Sequence, residues 1–537
     1  MASEIPVKVG HKLYILFSIS QTALDAFHKP ELDSLAKLLN LDIGYPEEYD
    51  PSRPYHLISL PNDEQARRLG SRLVAGKHIW EFWARADTYD ELHEQVRQVE
   101  CREKWEPFAE DKECTWKFVV AAHNRTLALP AQIKVINSFA YMPFLGNIDL
   151  KKPKVQIGVF EDYEFDRMRG QKVREARAEL GASKGKQPRR DDDDELAVAD
   201  TGGLISVWMG RKICDTQRHL IDVFDLKKRA YIGTTSMEAE VSLLMANQAL
   251  AGPGKWVYDP FTGTGSMLLT AAGFGAMTFG SDIDGRQMRG KKTSIQHSAK
   301  QYGVTNRLVD CYAFDMTQHP WRTGEIFDAI ITDPPYGVRA GAKRLGRPEG
   351  EKEMLPMVVP GRESEGLHHQ FHDYVPPSVG WPMEEVISTL VTFALYLLKP
   401  GGRLVFFLPT DNAEYADIDI PSVPGLTLVA NSSQSFGKWA RRLITMEKDK
   451  EGDAWQKALD GLDRGVRRKG QKSAWELEQE KEGAEREEAE KKRPGHADFR
   501  ERYYEGFAAV KEGVKKLLVG EQEGERQPGA REEPTQQ

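Results

Sequence analysis

The sequence predicts an α/β protein in which helices flank a mainly parallel sheet, preceded by an α+β region. Two observations support this prediction. Between residues 231 and 447, short apolar runs alternate with segments of helical length, as in βα units. Between residues 1 and 230, strand-like and helical stretches are mixed without that alternation, which indicates an α+β region.

Individual elements follow from the periodicity of the apolar residues. In residues 1–230 we predict the strands Lys12–Ser18, Lys117–Ala121, Val155–Val159 and Leu204–Met209, and the helices Glu64–Ala75 and Asp90–Val99. In residues 231–447 we predict the strands Trp256–Tyr258, Met277–Ser281, Leu308–Phe314, Phe327–Thr332, Arg403–Leu408 and Arg442–Met446. The apolar spacing from Val386 to Leu398 predicts a helix that ends before Pro400 and two glycines.

The composition bounds the class of protein. The chain has 537 residues, of which 40% are hydrophobic and 29% charged, which excludes a wholly disordered or fibrous protein. No stretch approaches the ~20 consecutive apolar residues of a membrane span, and the run Leu13–Ile19 is too short for a signal peptide. The 4 cysteines lack CxxC spacing, so we expect no metal site and no disulfides. These features favour a cytoplasmic protein with no membrane partner.

The formal net charge of −8 is unevenly distributed along the chain. The run Asp191–Glu195 alone supplies 5 of the 8 excess negative charges. We expect the surrounding segment, residues 182–200, to be a flexible loop because it lacks periodicity. The acidic total argues against a nucleic-acid partner, but the rest of the chain is near balance, so such a partner is not excluded.

Residues 448–537 form a charged C-terminal extension. Most of it is rich in Glu, Lys and Arg, which indicates an exposed helix or disorder. Apolar residues between Phe499 and Leu517 recur at helical spacing, so we predict an amphipathic helix over residues 499–518. Two roles remain open for this helix: packing on this chain's own body, or binding a partner.

A glycine-rich turn follows the strand that begins at Trp256. The segment Asp259–Ser266 (DPFTGTGS) joins this strand to a helix, at the place where α/β sheets bind ligands. Gly263 and Gly265 let the backbone approach a ligand closely, and the carboxylate of Asp259 suits a cationic ligand rather than a phosphate. No Lys-Ser/Thr pair follows the glycines, which excludes a phosphate-binding P-loop.

Acidic residues follow the next two strands. Asp282, with Ile283, comes about 20 residues after the glycines, where an acid accepts hydrogen bonds from ribose hydroxyls. Asp315, with Met316, follows the third strand and is suited to accept a hydrogen bond from an adenine amino group. The glycine loop and the two acids together predict an adenosyl cofactor, and we expect S-adenosylmethionine.

The fourth strand ends in the tetrapeptide Asp333-Pro334-Pro335-Tyr336. The two prolines keep the backbone extended at the strand tip. The carboxylate of Asp333 and the carbonyl of Pro334 can each accept an N–H of an exocyclic amine, which stabilises the positive charge that grows during methylation. Asp333 is also placed to take the released proton, and Tyr336 to stack on the base. A base within a folded nucleic acid must be flipped out to reach this position.

These motifs resemble the Rossmann-like amino-methyltransferases, which carry a [DN]PP[YF] motif. The segment Thr235-Ser236-Met237 resembles the segment of those enzymes that precedes the glycine loop and contacts the methionine part of the cofactor. The resemblance implies a cofactor site made of Thr235, Ser236, Met237, Asp259, Phe261, Gly263, Gly265, Ser266, Asp282, Ile283, Asp315 and Met316.

The stretch from Gly210 to Ala249, with the motifs that follow it up to Arg347, is similar to the eukaryotic tRNA guanine-N2 methyltransferases that modify position 10. That resemblance implies a THUMP RNA-binding module with a preceding ferredoxin-like domain in residues 1–230, and a Rossmann-like methyltransferase domain in residues 231–447. It also implies a tRNA substrate and a heterodimer with a small zinc-binding activator protein.

Basic residues near these motifs are candidates for RNA binding. They are Arg339, Lys343, Arg344 and Arg347 in the loop after Tyr336, Arg211, Lys212 and Arg218 before the methyltransferase domain, and Arg441 near the last strand. The histidines His368, His369 and His372 follow the same loop, but no cysteine or paired acid accompanies them, so we expect no metal there.

Alternative functions stay open at this point. A DNA adenine-N6 or protein-glutamine methyltransferase also uses Asn or Asp before Pro-Pro-Tyr/Phe, although the aspartate and the N-terminal region weigh against both. A non-enzymatic RNA-binding scaffold is the other alternative, and the intact glycines and intact DPPY argue against it.

Overall fold

The structure is a computed structural model, and it divides the chain into two compact units, Met1–Leu220 and Ile221–Gln537. It describes residues 6–18, 22–164, 203–322, 324–336, 341–347, 357–371, 374–413, 415–416 and 419–450. The predicted loop 182–200 and the predicted amphipathic helix 499–518 lie outside these residues. The predicted domain boundary after residue 230 stays a prediction.

The first unit is built on a six-stranded mixed sheet in the order β2-β1-β3-β6-β5-β4. Its strands are β1 (Lys12–Ser18), β2 (Tyr55–Leu60), β3 (Gly76–Ala86), β4 (Trp116–His123), β5 (Val155–Tyr163) and β6 (Leu204–Asp215). Its helices are α1 (His28–Leu39), α2 (Asp63–Gly70), α3 (Tyr89–Arg97), α4 (Val99–Glu110) and α5 (Leu129–Ser138). The β4–β5 pair is parallel, and the other pairs of this sheet are antiparallel.

Side-chain caps determine where two of these helices begin. The Asn62 side chain accepts a hydrogen bond at the start of α2, and Thr88 does so at the start of α3. The predicted helix Glu64–Ala75 is too long at its C-terminal end, because α2 ends at Gly70. The backbone N–H groups of Val74 and Ala75 instead donate to the buried Glu31 carboxylate, at 2.9 and 2.8 Å.

The second unit contains a seven-stranded sheet in the order β14-β15-β13-β10-β7-β8-β9, and a separate two-stranded ribbon, β11–β12. The strands are β7 (Trp256–Asp259), β8 (Met277–Asp282), β9 (Leu308–Ala313), β10 (Phe327–Thr332), β11 (Lys343–Leu345), β12 (Ser378–Gly380), β13 (Leu398–Asp411), β14 (Leu426–Ser435) and β15 (Trp439–Lys448). The five strands from β13 to β9 are parallel, and β15 is antiparallel to both of its neighbours. The six predicted strands of this region are confirmed, whereas β14 was not predicted.

Helices accompany the strands of the second unit, and the short α6 (Leu220–Val223) includes the last residue of the first unit and the first three of the second. The others are α7 (Ala239–Gln248), α8 (Ser266–Gly273), α9 (Gly285–Arg289), α10 (Ile295–Gln301) and α11 (Met383–Leu397). The predicted helix Val386–Leu398 corresponds to α11, whose apolar face packs in one core cluster with Tyr258, Phe327 and Phe406. No helix in the described part of the chain is long and apolar enough to cross a membrane.

The parallel arrangement brings the carboxyl ends of β7, β8, β9 and β10 to one edge of the sheet. Each of these ends carries an acid, either as its last residue or within two residues of it: Asp259, Asp282, Asp315 and Asp333. A parallel sheet covered by helices binds ligands at this edge. The fold therefore collects the predicted site residues in one place.

Candidate active site

A cavity of about 750 Å³ opens at the carboxyl edge of the second unit's sheet. The predicted residues that line it are Thr235, Ser236, Met237, Phe261, Gly263, Ser266, Asp282, Ile283, Asp315, Met316, Asp333, Pro334, Pro335, Tyr336, Lys343 and Arg441. Two predicted cofactor residues of the glycine-rich segment, Asp259 and Gly265, are not part of the lining. The cavity size is in the range of sites that bind small molecules and cofactors.

The glycine loop depends on two backbone conformations that disfavour other residues. Gly263 has φ +51° and Gly265 has φ +78°, in the left-handed region. A Cβ at Gly265 would also lie 3.0 Å from the Ile295 side chain of α10. The backbone N–H of Gly263 donates to Asp282 Oδ2 at 2.9 Å, which links the loop to the tip of β8. The loop is therefore fixed before any ligand binds.

Arg229 supports the same loop from behind, and the sequence analysis missed it. Its buried guanidinium donates to Ser266 Oγ at 2.8 Å, to the carbonyl oxygen of Thr264, and to Ser298 Oγ at 3.5 Å. Burial lowers the pKa of Arg229 to about 10. With its neighbours Lys227 and Lys228, Arg229 resembles part of a basic surface segment. Nothing in the local sequence therefore indicates that this arginine is buried behind the glycine loop.

Asp259 is fully buried and supports the loop. Its Oδ1 accepts hydrogen bonds from Phe261 N at 3.0 Å and from Thr332 Oγ1 at 2.7 Å. Its Oδ2 is buried without a hydrogen-bond partner among the described residues. Burial raises the pKa of Asp259 to about 7. The structure places Asp259 under the loop's own hydrogen bonds and outside the cavity lining, and the predicted contact with a cationic ligand stays a prediction.

The two acids predicted to bind the adenosyl group both line the cavity, and both accept backbone hydrogen bonds. Asp282 accepts from Gly263 N and from Asp284 N, each at 2.9 Å. Burial raises the pKa of Asp282. Asp315 Oδ1 accepts from Thr317 N at 2.8 Å, and its Oδ2 accepts from Leu345 N in β11 at 2.6 Å. The acid at the third strand tip is therefore bonded to the ribbon that follows the DPPY motif.

Asp333 combines a partly exposed side chain with an unpaired buried oxygen. Its Oδ1 is buried and has no hydrogen-bond partner among the described residues. Burial raises the pKa of Asp333 to about 7, and the positive charge of Arg441 opposes that shift. An acceptor of this kind, beside Pro334 in the cavity, is suited to an N–H donor from a ligand.

Aromatic residues that the sequence analysis did not single out complete the lining. Phe436 lies in the turn between β14 and β15, Trp439 is the first residue of β15, and Trp381 precedes α11. Arg441, predicted to bind RNA, lies in the cavity, where its Nε donates to Gln434 Oε1 at 2.6 Å and its Nη1 lies 3.5 Å from Met237 Sδ. Because β14 was not predicted, nothing in the sequence marked this turn as part of the site.

The other predicted RNA-binding residues occupy different environments. Lys343 is exposed and lines the cavity, whereas Arg344 pairs with Glu385 at 3.1 Å. Arg347 is partly exposed, and Arg339 lies outside the described residues. The predicted RNA contacts of all these residues stay predictions.

In the first unit, the predicted RNA-binding cations already have protein partners. Arg211 donates to Asp63 at 2.8 Å and to Glu81 at 2.9 Å, and these carboxylates raise its pKa despite partial burial. Lys212 pairs with Asp215 at 2.6 Å. Arg218 donates to the carbonyl oxygen of Val74 at 3.3 Å. These contacts give the three residues a structural role beside any contact with RNA.

The sheet order, the glycine loop and the acids at the strand tips define a Rossmann-like methyltransferase domain. Family models match in two places: a Tmrp11 THUMP N-terminal domain at residues 14–183, and an RMKL-like methyltransferase domain at residues 227–347. The solved structure of TrmN from Thermus thermophilus is similar over 81% of this chain and 99% of its own, at 16% identity and a TM-score of 0.38.

Curated relatives match over most of the chain. The tRNA (guanine(10)-N(2))-methyltransferase of Saccharomyces cerevisiae is 33% identical over 437 residues, covering 81% of this chain and 92% of the relative. The human tRNA (guanine(10)-N(2))-methyltransferase TRMT11 is 33% identical over 439 residues, covering 79% of this chain and 86% of the relative. The chain belongs to the tRNA (guanine(10)-N(2))-methyltransferase family.

Proposed function

We propose that this chain transfers a methyl group from S-adenosylmethionine to the exocyclic N2 amine of guanine at position 10 of tRNA. The observation that carries the proposal is the unpaired, buried Oδ1 of Asp333 in the cavity that also holds the glycine loop. The names of the relatives supply the base and the position. The THUMP match supports an RNA substrate.

The residues of the cavity fit the cofactor. Its lining combines the glycine loop and the Asp282 and Asp315 carboxylates with Thr235, Ser236 and Met237 on another side. Carboxylates and small polar groups suit a ribose and an adenine, and the loop lacks the lysine of a phosphate-binding site. When bound, S-adenosylmethionine supplies an electrophilic methyl group on a positively charged sulfur.

The chain's own residues act on the amine. The nitrogen lone pair of a guanine N2 amine is delocalised into the ring, so the amine is a weak nucleophile. Asp333 Oδ1 and the carbonyl of Pro334 accept its two N–H groups and favour the geometry in which the lone pair is available. Asp333 then takes the released proton, and Arg441 favours the charged carboxylate that this requires.

The experiment is a methylation assay with the full chain, labelled cofactor and transcribed tRNA, followed by nucleoside digestion. We expect N2-methylguanosine, and its loss when position 10 carries inosine, which differs from guanosine only in lacking the 2-amino group. A methyl group on adenine would contradict the proposal. So would label on protein glutamine, or a complete failure to bind the cofactor.

We further propose that the chain works with the small zinc-binding activator that the resemblance implies. The edge strand β9 supports this proposal. Most of its residues are exposed to solvent, whereas the strands of a parallel sheet are usually covered on both faces. Val309 is 43% exposed and Tyr312 36% exposed on a strand that pairs only with β8 among the described residues. An exposed apolar strand edge is a surface that natural proteins protect.

Co-expression with the activator tests this partner. We expect a 1:1 complex and an increase in methylation, with both lost in the double variant Val309→Lys, Tyr312→Lys. The control is Leu428→Lys on the opposite edge strand, β14, where the side chain is also exposed, at 45%. Loss of the complex in the control alone would contradict the assignment to β9.

A further inference from the structure

The turn between β14 and β15 presents two aromatic rings to the cavity. Phe436 and Trp439 stack with ring centroids 4.4 Å apart and 19° between the ring planes. Both line the cavity that contains Asp333. Phe436 is 44% exposed, so its ring does not contribute to the buried core. A stacked aromatic pair with one ring exposed, in a cavity that also holds a carboxylate, is a combination that suits a nucleobase.

The turn that carries the rings is rigid. The backbone N–H of Phe436 donates to Trp439 O at 2.8 Å, and Gly437 between them has φ +88°. Asn412, near the end of β13, donates from its side chain to Gly437 O at 2.7 Å and from its backbone to Lys438 O at 3.0 Å. The rings are thus positioned before a ligand binds, which lowers the entropic cost of binding.

A guanidinium connects this turn to the proposed catalytic acid. Arg441 lies 5.6 Å from the ring centroid of Phe436 and 4.5 Å from that of Phe407. Its charge acts on Asp333, whose pKa it lowers against the effect of burial. The aromatic pair, Arg441 and Asp333 all line the same cavity, in which the reacting amine must lie.

The fold does not require aromatic residues at this turn. Ser435, Gly437 and Lys438 are exposed around it, and the core of the sheet is formed by other residues. The exposed apolar residues Leu428 and Val429 lie on the same strand, β14, but outside the cavity lining. Among these apolar residues, the two aromatic ones, Phe436 and Trp439, are therefore the ones that line the cavity.

We propose that the stacked pair Phe436–Trp439 is a platform on which an unpaired RNA base stacks next to Asp333. This proposal rests on the proposed function, in which the target guanine leaves its helix and loses its stacking neighbours. Aromatic side chains replace such stacking without regard to base identity. The base is either the target guanine or its neighbour in the strand, and both share the same stacking chemistry.

The test uses the full chain and tRNA, with Phe436→Leu and Trp439→Leu as the disruptive variants. Leucine keeps an apolar side chain and removes the flat ring. We expect kcat/KM for tRNA to fall roughly 5- to 150-fold, the range of one lost base–aromatic stack, with an unchanged cofactor Kd. Trp439→Phe keeps a ring and should retain most of the activity. Val429→Ala, on the same strand outside the cavity, is the matched control.

A fluorescent base separates the two possible occupants. 2-Aminopurine is placed either at position 10 or at the following nucleotide, and its emission is measured on binding. Emission from the base on the platform should be quenched by the wild-type chain and rise in Trp439→Leu. A change at one position only identifies that base as the occupant.

The platform and the proposed function fail in different ways. Unchanged kcat/KM in both leucine variants, with no emission change at either position, overturns the platform while the wild-type chain still methylates tRNA. A wild-type chain that does not methylate guanine, either alone or co-expressed with the activator, overturns the proposed function itself.

Discussion

Thr332 Oγ1 donates a 2.7 Å hydrogen bond to Asp259 Oδ1 beneath the active-site edge of the sheet. Both residues are fully buried, and they end the adjacent parallel strands β10 and β7. One begins the glycine loop, and the other precedes Asp333 directly. This bond therefore connects the cofactor side of the cavity to the proposed catalytic acid.

Removing this bond should affect stability and activity together. Thr332→Val leaves the buried Asp259 carboxyl with only the Phe261 N–H on its Oδ1, and we expect a loss of about 1–3 kcal/mol in unfolding free energy. Denaturant unfolding measures it. Thr410→Val on β13 is the control, because the buried Thr410 hydroxyl has no partner among the described residues. An equal loss in both variants would contradict the role of the bond.

Asp333 should set the pH dependence of methylation. Its carboxyl must be charged to take the proton that the amine releases, which an asparagine cannot do, and burial raises its pKa to about 7. We expect kcat/KM to rise between pH 6 and pH 8, and Asp333→Asn to abolish transfer while preserving cofactor binding by calorimetry. Activity in Asp333→Asn equal to wild type would rule out the proposed mechanism.

The same raised pKa predicts a stability effect of the opposite sign. A carboxyl whose pKa is raised by folding stabilises the protein at low pH, and this contribution is lost as the pH rises through the folded pKa. With a folded pKa of about 7, wild type should lose about 1.4 kcal/mol between pH 6 and pH 8 for Asp333. Asp333→Asn should lack that part of the decline, as measured by urea unfolding at both pH values. An identical decline in the variant would show that Asp333 is ionised throughout.

Arg229 should be required for cofactor affinity although it does not line the cavity. Arg229→Lys keeps the positive charge but cannot make all the bonds to Ser266, Thr264 and Ser298. We expect a loss of about 2–3 kcal/mol in stability and weaker cofactor binding in calorimetry. The exposed Arg286, paired with Asp284, is the control, where Arg286→Lys should change stability by less than about 1 kcal/mol. Unchanged cofactor affinity in Arg229→Lys would remove its positioning role.

Arg211 and Lys343 should behave differently in tRNA binding. Because Arg211 already pairs with Asp63 and Glu81, Arg211→Gln should destabilise the first unit and leave the salt dependence of tRNA affinity nearly unchanged. Lys343→Gln should reduce the slope of log K against log salt by about 1. Affinity measured at several salt concentrations separates these effects. A reduced slope in Arg211→Gln would instead support the RNA contact that the sequence predicted for it.

The sequence predicted the parallel strands well because each is followed by a recognisable turn. The strand before DPFTGTGS and the strand before DPPY both carry their motif at the carboxyl end, so the meeting of Asp259, Asp282 and Asp333 follows from the fold class. β14 was missed because it contains Asn431, Ser432 and Ser433, and it lacks a regular alternation of apolar and polar residues. Local pattern does not reveal a strand that forms by pairing with β15.

The site residues that were not predicted from the sequence were missed for one physical reason. Arg229, Phe436 and Trp439 are defined by contacts with residues distant in sequence or by exposure of a turn. A lysine-rich stretch and an aromatic pair near the end of the domain have many ordinary explanations in a sequence. Only the tertiary arrangement shows that they meet at the glycine loop and the cavity.

The bond from Leu345 N to Asp315 Oδ2 has a thermodynamic consequence for the two substrates. One carboxylate is shared between the cofactor cavity and the ribbon that carries Lys343. Any ligand that shifts the ribbon alters the acceptor offered to the cofactor, and binding free energies are reciprocal. The factor by which tRNA changes cofactor affinity must therefore equal the factor by which the cofactor changes tRNA affinity.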